Sequence, residues 1–297
     1  MLSWALGLGL GIFGSLTLFI YYALIFLQKT RFTFFVTFLN TVVLITAGGL
    51  MLFDTGATKT NFQIVDTQSL THGQLTAMAY SENQGLLTGY HGNSRIFEGN
   101  RVYKDITDFT AYSGLDVVDE YLFVVDFDQQ TLLVYKNALF WRQYQNLSFH
   151  PIGLTASQHD IFVTGVGPSK EILILKNYTD KTCHVRENLK YFGTNDSFTT
   201  LRGLVFADGL LYVCDHHRIL IFSGKRKIRE LGPFADPRQL VFWNTRLVVA
   251  SHLQTLLLSS NMDTIDFIIH GPSYHVAASK TRLYIGDTTH VRSYKSS

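Results

Sequence analysis

Cys214, Asp215, His216 and His217 stand in a row within Leu201–Phe222, LRGLVFADGLLYVCDHHRILIF. Thiol, carboxylate and imidazole are the groups that ligate zinc, accept protons and attack electrophiles. Zinc needs further ligands at fixed geometry, and neither HxH nor HExxH occurs in the chain. The two cysteines, Cys183 and Cys214, have no CxxC spacing and are too few to close a structural zinc site without histidines. A disulfide between them is open. The sequence has no GxSxG nucleophile elbow and no Walker phosphate loop. No catalytic residue and no metal site are assigned on these grounds, so the meaning of the run depends on the elements that position it.

Leu201–Phe222 reads as three short strands: an apolar run to Phe206, a turn at Ala207-Asp208-Gly209, a strand ending in Asp215, a polar turn, and a third strand. Leu204 and Asp215 are eleven residues apart, as are Leu115 and Asp126, and Val276 and Asp287. The same interval joins Leu154 to Gly165, Leu240 to Ser251 and Met78 to Gly89, in the same order of apolar run, turn, apolar run. The six anchors, 78, 115, 154, 204, 240 and 276, are spaced by 37, 39, 50, 36 and 36 residues. A fourth strand follows Phe222 in KIRELG, closed by Gly232-Pro233. Four strands at this period describe a propeller blade, and six blades form a ring that leaves only short edges exposed. The last repeat stops after its third strand, so Phe62–Asp66 is expected to supply the missing one and close the ring. The long third spacing places an insertion within residues 177–200, around Cys183 and His184.

Gly203-Leu204, Tyr212-Val213-Cys214-Asp215 and Arg218-Ile219-Leu220-Ile221-Phe222 resemble NHL repeats and related six-bladed propellers. So do Gly114-Leu115, Leu122-Phe123-Val124-Val125-Asp126 and Leu132-Leu133-Val134-Tyr135. The resemblance spans residues 62–297 as architecture and is sharp in the second and fourth repeats; the fifth has Ser251 in place of the aspartate. It implies a binding platform or, through the lactonase and arylesterase relatives, a hydrolase holding calcium in the central channel. The inner positions beside the anchors are mostly apolar or glycine here, a poor match to converging calcium ligands.

Strands of a blade alternate in direction, so the loop entering the first strand and the loop between the second and third open on one face. That face is expected to collect Arg202, Arg238 and His275, with Tyr90, His91, Asp128, His216, His217 and His252, as a ligand or partner surface. Asp126, Asp215 and Asp287 are expected to accept backbone N–H groups of the tight turns. On the opposite face, the loops between third and fourth strands carry Arg101, Lys136, Lys176, Lys225, Arg226, Lys227 and Lys295. The chain enters the ring from that side, so this basic face is expected to look at lipid.

Met1–Leu27 and Phe32–Phe53 contain no charged residue, and each exceeds the ~20 residues that span a ~30 Å hydrocarbon core. Gly7, Gly11 and Ser15 share one helical face; Thr33, Thr37 and Thr41, with Asn40 beside them, offer packing groups on the second helix. Lys29 and Arg31 in the connecting turn place it on the cytoplasmic or matrix side, and the propeller on the periplasmic, intermembrane-space or lumenal side. A net charge of +2 disfavours nucleic acid as a partner, and 46% hydrophobic residues with 14% aromatics supply a core.

These readings predict an all-β propeller of six four-stranded blades, the N-terminal strand closing the last blade, preceded by two transmembrane α-helices. The boundaries are 1–54 for the hairpin, 55–61 for a linker and 62–297 for the propeller. The expected function is a non-catalytic protein-binding or assembly module, an accessory subunit of a membrane complex, with lipid and other subunits as partners and no cofactor. The alternatives are a membrane-tethered calcium-dependent hydrolase of the lactonase or arylesterase type and a sensor of a small ligand.

Overall fold

Segments such as YLFVVD (Tyr121–Asp126) lack polar alternation, the pattern of strands covered on both faces, and all six residues are buried. Such strands need a neighbouring sheet on each side, which a ring of blades supplies. The structure, a computed structural model, describes residues 62–106, 111–167, 171–181, 186–189 and 198–296. The expected hairpin with Gly7, Gly11, Ser15, Thr33, Thr37, Asn40 and Thr41, the linker 55–61, and Cys183 with His184 all lie outside the described residues. Among the described residues no helix is long and apolar enough to cross a membrane.

After β1 (Phe62–Ser69), blade one comprises β2 (Leu75–Ser81), β3 (Gly85–Tyr90), β4 (Arg95–Glu98) and β5 (Arg101–Asp105). Blade two is β6 (Tyr112–Val118), β7 (Tyr121–Asp126), β8 (Thr131–Lys136) and β9 (Leu139–Tyr144). Blade three is β10 (His150–Ala156), β11 (Ile161–Val166), β12 (Ile172–Leu175) and β13 (Arg186–Leu189). Blade four is β14 (Leu201–Ala207), β15 (Leu210–Asp215), β16 (Arg218–Ser223) and β17 (Arg226–Leu231). Blade five is β18 (Pro237–Trp243), β19 (Arg246–Ser251), β20 (Gln254–Leu258) and β21 (Ile265–His270). Blade six is β22 (His275–Ala278), β23 (Leu283–Gly286) and β24 (His290–Ser296), completed by β1. The closing strand runs antiparallel to β24, from Phe62 opposite Ser296 to Ser69 opposite His290, three residues beyond the expected Asp66. The Phe62 ring packs on Trp243 and Phe267 of blade five, with centroids 5.5 and 4.4 Å apart, so the clasp also grips the neighbouring blade.

The core divides into six apolar clusters, one at each blade-to-blade interface. Leu87 meets Val124, Phe123 meets Val163, and Ile172 meets Val213. Cys214 meets Leu247, Val248 meets Ile285, and Ala277 meets Met78 across the closure. Five outer strands carry a register slip against their neighbours, at Val65, Tyr103, Trp141, Ile228 and Asp266. Bulges of this kind twist an exposed edge away from pairing with another chain.

Toward the axis the inner strands β2, β6, β10, β14, β18 and β22 approach one another without a shared hydrogen-bond ladder. Side chains link them instead. Asp116 Oδ2 accepts from Ala156 N at 2.7 Å, Thr155 Oγ1 from Phe206 N at 3.3 Å, and Gln239 Oε1 from Val276 N at 3.0 Å. The Ser113 hydroxyl donates to the Pro151 carbonyl at 2.5 Å, and the Thr164 hydroxyl to that of Arg202.

Glycine is required where these backbones come closest. A Cβ on Gly203 would sit 2.8 Å from Gln239 Cα and nearer still to the Arg238 carbonyl. Both obstacles are backbone, so neither moves cheaply. Gly203→Ala is therefore expected to lower stability by about 1–3 kcal/mol as an overpacked contact. The denaturant midpoint reads this, and an unchanged midpoint would show that the blades separate freely there.

Candidate functional site

Each inner strand but one slips by a residue against its partner at the same repeat position. The skipped residues are Thr76 in β2, Ser113 in β6, Ile152 in β10 and Arg238 in β18, and β14 slips across Arg202–Gly203. In blade six His275 pairs directly with Gly286. A bulge breaks the alternation of side chains and re-aims the extra one. The five bulge positions, with Tyr274 in the sixth blade, line a single cavity of about 590 Å³ at the mouth of the channel.

The chemistry of this ring is lopsided. Blades one to three contribute Thr76, Ala77, Ser113, Gly114, Ile152 and Gly153, while blades four to six contribute Arg202, Arg238, Gln239, Tyr274 and His275. Asp236 anchors the polar side from the loop before Pro237, with its backbone in the left-handed region at φ 50°. Its Oδ2 accepts from Arg238 Nε at 3.0 Å and pairs with Arg238 Nη2 at 2.9 Å. Arg202 Nε faces the other oxygen, Oδ1, at 3.3 Å, but this buried nitrogen makes no hydrogen bond. The Arg238 guanidinium lies 5.1 Å over the Tyr274 ring, a cation–π arrangement that fixes its plane.

His275 takes part in the wall as a neutral imidazole. Burial pushes its pKa down to about 4, with a further push from Arg238, and its hydrogen bond to the Leu75 carbonyl only partly offsets this. Asp116, on β6 and outside the cavity, is raised to about 6 by burial, only partly offset by hydrogen bonds from the amides of Ala156 and Val117 and the Thr155 hydroxyl. Its bonds tie strands together, a structural cause for a perturbed carboxylate. Cys214 is a free thiol sealed in the core, and burial raises its pKa well above the ordinary range.

Of the residues expected on this face, Arg202, Arg238 and His275 meet in the cavity wall, with His91 and Asp128 at its rim. Tyr90, the last residue of β3, turns inward instead, packing edge-on to Phe97 with centroids 5.5 Å apart. The His216 and His217 rings lie 3.7 Å apart, tilted at 46°, at a separate hollow beside Arg218, Glu230 and Pro233. His216 adopts φ 57°, a turn geometry. His252 lies outside the cavity, 5.4 Å from the Tyr274 ring. Asp236, Gln239 and Tyr274 escaped the sequence reading. The column two residues before each anchor, where Arg202, Arg238 and Tyr274 align, is the signal that points to the ring.

The recurrent aspartates serve the backbone. Asp126 Oδ1 accepts from Asp128 N and Gln129 N at 2.9 and 3.0 Å, and Asp287 Oδ1 from Thr289 N and His290 N, both at 2.7 Å. Asp215 reaches back instead, to Thr199 N and Thr200 N at 2.7 Å, and pairs with Arg218 at 2.9 Å. On the opposite face Lys136 bridges to Glu120 at 2.9 Å, Lys176 to Asp160 at 2.8 Å and Lys227 to Glu230 at 3.0 Å. Arg101, Lys225, Arg226 and Lys295 are exposed.

No family model matches the sequence, and a search of curated proteins finds no match. Among solved structures, the chain is similar to the WD40 β-propeller domain of Doa1, with a TM-score of 0.59 and 13% identity over 80% of this chain and 97% of that one. It is also similar to a streptogramin B lyase, with a TM-score of 0.60 and 11% identity over 80% of this chain and 98% of that one. At these identities the likeness is one of fold, an all-β propeller.

The depressed His275 titration carries a sign. An imidazole that titrates near 6.5 when unfolded and about 4 when folded contributes stability present above the unfolded value and lost as pH falls through the folded one. Between about pH 7 and about pH 5 the native protein should lose roughly 2 kcal/mol more than His275→Gln. Urea melts of both proteins at the two pH values check this, and parallel losses would refute it.

Proposed function

We propose that this chain is a membrane-anchored, non-catalytic propeller that binds and helps assemble other subunits of a membrane complex, with the channel mouth as its recognition face. The bulge ring carries the reading: one slip in each of five inner strands turns a set of side chains into a single mouth, and those of blades four and five are held there by one another. Several groups with acid–base or nucleophilic potential are committed elsewhere: Asp116 clips two strands together, Asp126 and Asp287 hold turns, and Cys214 is sealed in the core, while His275 joins the cavity wall and His91 and Asp128 its rim. A WD40 domain and a lyase share this architecture, so the ring, and not the fold, supports binding over catalysis.

The NHL-like kinship of the repeats rests on the Gly-Leu and Val-Asp pattern of the second and fourth blades. Anchoring rests on the two uncharged stretches before residue 54, and it sets the turn between them on the cytoplasmic or matrix side. Contact with lipid falls to the exposed Arg101, Lys225, Arg226 and Lys295. Exposed cations near an anionic surface contribute about 1 kcal/mol each.

In native membranes the chain should resist alkaline carbonate washing and, after gentle detergent extraction, migrate with stoichiometric partners. Release by carbonate would overturn the anchor, and a monodisperse lone chain the subunit reading. Calcium chelation should leave the thermal midpoint unmoved; a calcium-dependent rise would favour the hydrolase.

A further inference from the structure

We propose that the channel mouth binds a small organic anion, its carboxylate or phosphate group received by the guanidiniums of Arg202 and Arg238; this rests on the reading of the mouth as a recognition face.

The polar wall holds two cations against one anion. Arg238 Nε and Nη2 both go to Oδ2 of Asp236, at 3.0 and 2.9 Å. Arg202 approaches Oδ1 at 3.3 Å through a buried Nε that makes no hydrogen bond there. A guanidinium presents five donors in a planar fork suited to carboxylate and phosphate oxygens. One carboxylate shared between two forks leaves donors and about one positive charge unmatched in a part-buried site, each arginine side chain being 33% exposed. Asp128, the other carboxylate at the cavity, is on the exposed rim of blade two.

The surplus charge faces usable space. The cavity before them, of about 590 Å³, falls in the size range of small-molecule sites, and blades two and three line it with Ser113, Gly114, Ile152 and Gly153. Orientation is prepaid on the Arg238 side by the double contact with Asp236 and the Tyr274 ring beneath the guanidinium, which cuts the entropy lost on binding.

The test is calorimetric titration of the full-length chain with inorganic phosphate and, separately, with citrate, against sodium chloride at matched ionic strength. Saturable binding of phosphate, citrate or both is expected, and the stronger of the two identifies the headgroup. Arg202→Gln and Arg238→Gln should each weaken it by roughly tenfold to hundredfold, the worth of a lost charge-assisted contact. Arg202→Gln gives up the 3.3 Å ion pair with Asp236 but none of that carboxylate's hydrogen bonds, so its thermal midpoint is read beside its affinity, while Lys225→Gln on the opposite face should leave binding unchanged. Absence of saturable binding to either anion, or binding unaltered by Arg202→Gln, overturns the proposal. These outcomes are independent of membrane extraction: a lone, soluble chain that still binds phosphate would sink the assembly reading and leave this one standing.

Discussion

The structure depends on how six inner strands converge on an axis without hydrogen-bonding to one another. Within a blade every strand has a ladder, but between blades the contact is side-chain packing and a few side-chain-to-backbone bonds. A ring closes only if neighbouring inner backbones come near enough for those bonds to form. That nearness is why Gly114, Gly153 and Gly203 recur beside the anchors: a methyl on any of them meets an atom of the next blade. The glycines are thus a condition of closure before they are a feature of the channel.

The bulge is the second consequence of the same constraint. Strands radiating from an axis must twist strongly, and a one-residue slip adds local twist. The slip occurs near the inner end, where it re-aims Thr76, Ser113, Ile152, Arg202 and Arg238, and again on the outer strands, where it disturbs the exposed edge. One device therefore serves the fold at the rim and creates a recognition surface at the centre. Blade six lacks the inner slip and presents Tyr274 and His275, an aromatic and a neutral imidazole, beside the charged pair.

Much of the ring was legible from residues alone, because an eleven-residue interval is what two antiparallel strands and a tight turn occupy. The anchors Met78, Leu115, Leu154, Leu204, Leu240 and Val276 are all buried, and a repeat short of one strand announced the clasp by Phe62. The site was legible only in part. A one-residue slip leaves no mark in composition, so Arg202 and Arg238 were placed by their nearness to the anchors and not by the bulge that turns them inward. Asp236 lies in a loop between repeats, where no periodicity applies. Tyr90 looked like a loop residue, yet it pairs with Leu75 as the last position of β3 and its ring completes the packing between blades six and one. On the basic face, Glu120 and Asp160 reach Lys136 and Lys176 from the turns between first and second strands, a proximity invisible along the chain.

Electrostatics separates the two halves of the molecule's polar inventory. Asp126, Asp215, Asp287 and Asp116 each spend oxygens on backbone amides, joined by the Thr289 hydroxyl at Asp287 and Arg218 at Asp215. A buried carboxylate so paired is costly to replace but has little left to offer a ligand. Arg202 and Arg238 break this rule, since two forks share one acceptor and the surplus is directed at a cavity. A protein needing only to fold would gain by giving Arg202 its own carboxylate, as Arg218 has Asp215. An unbalanced pair at the one place where all six blades meet is better explained by an anion that arrives from outside than by the demands of the ring.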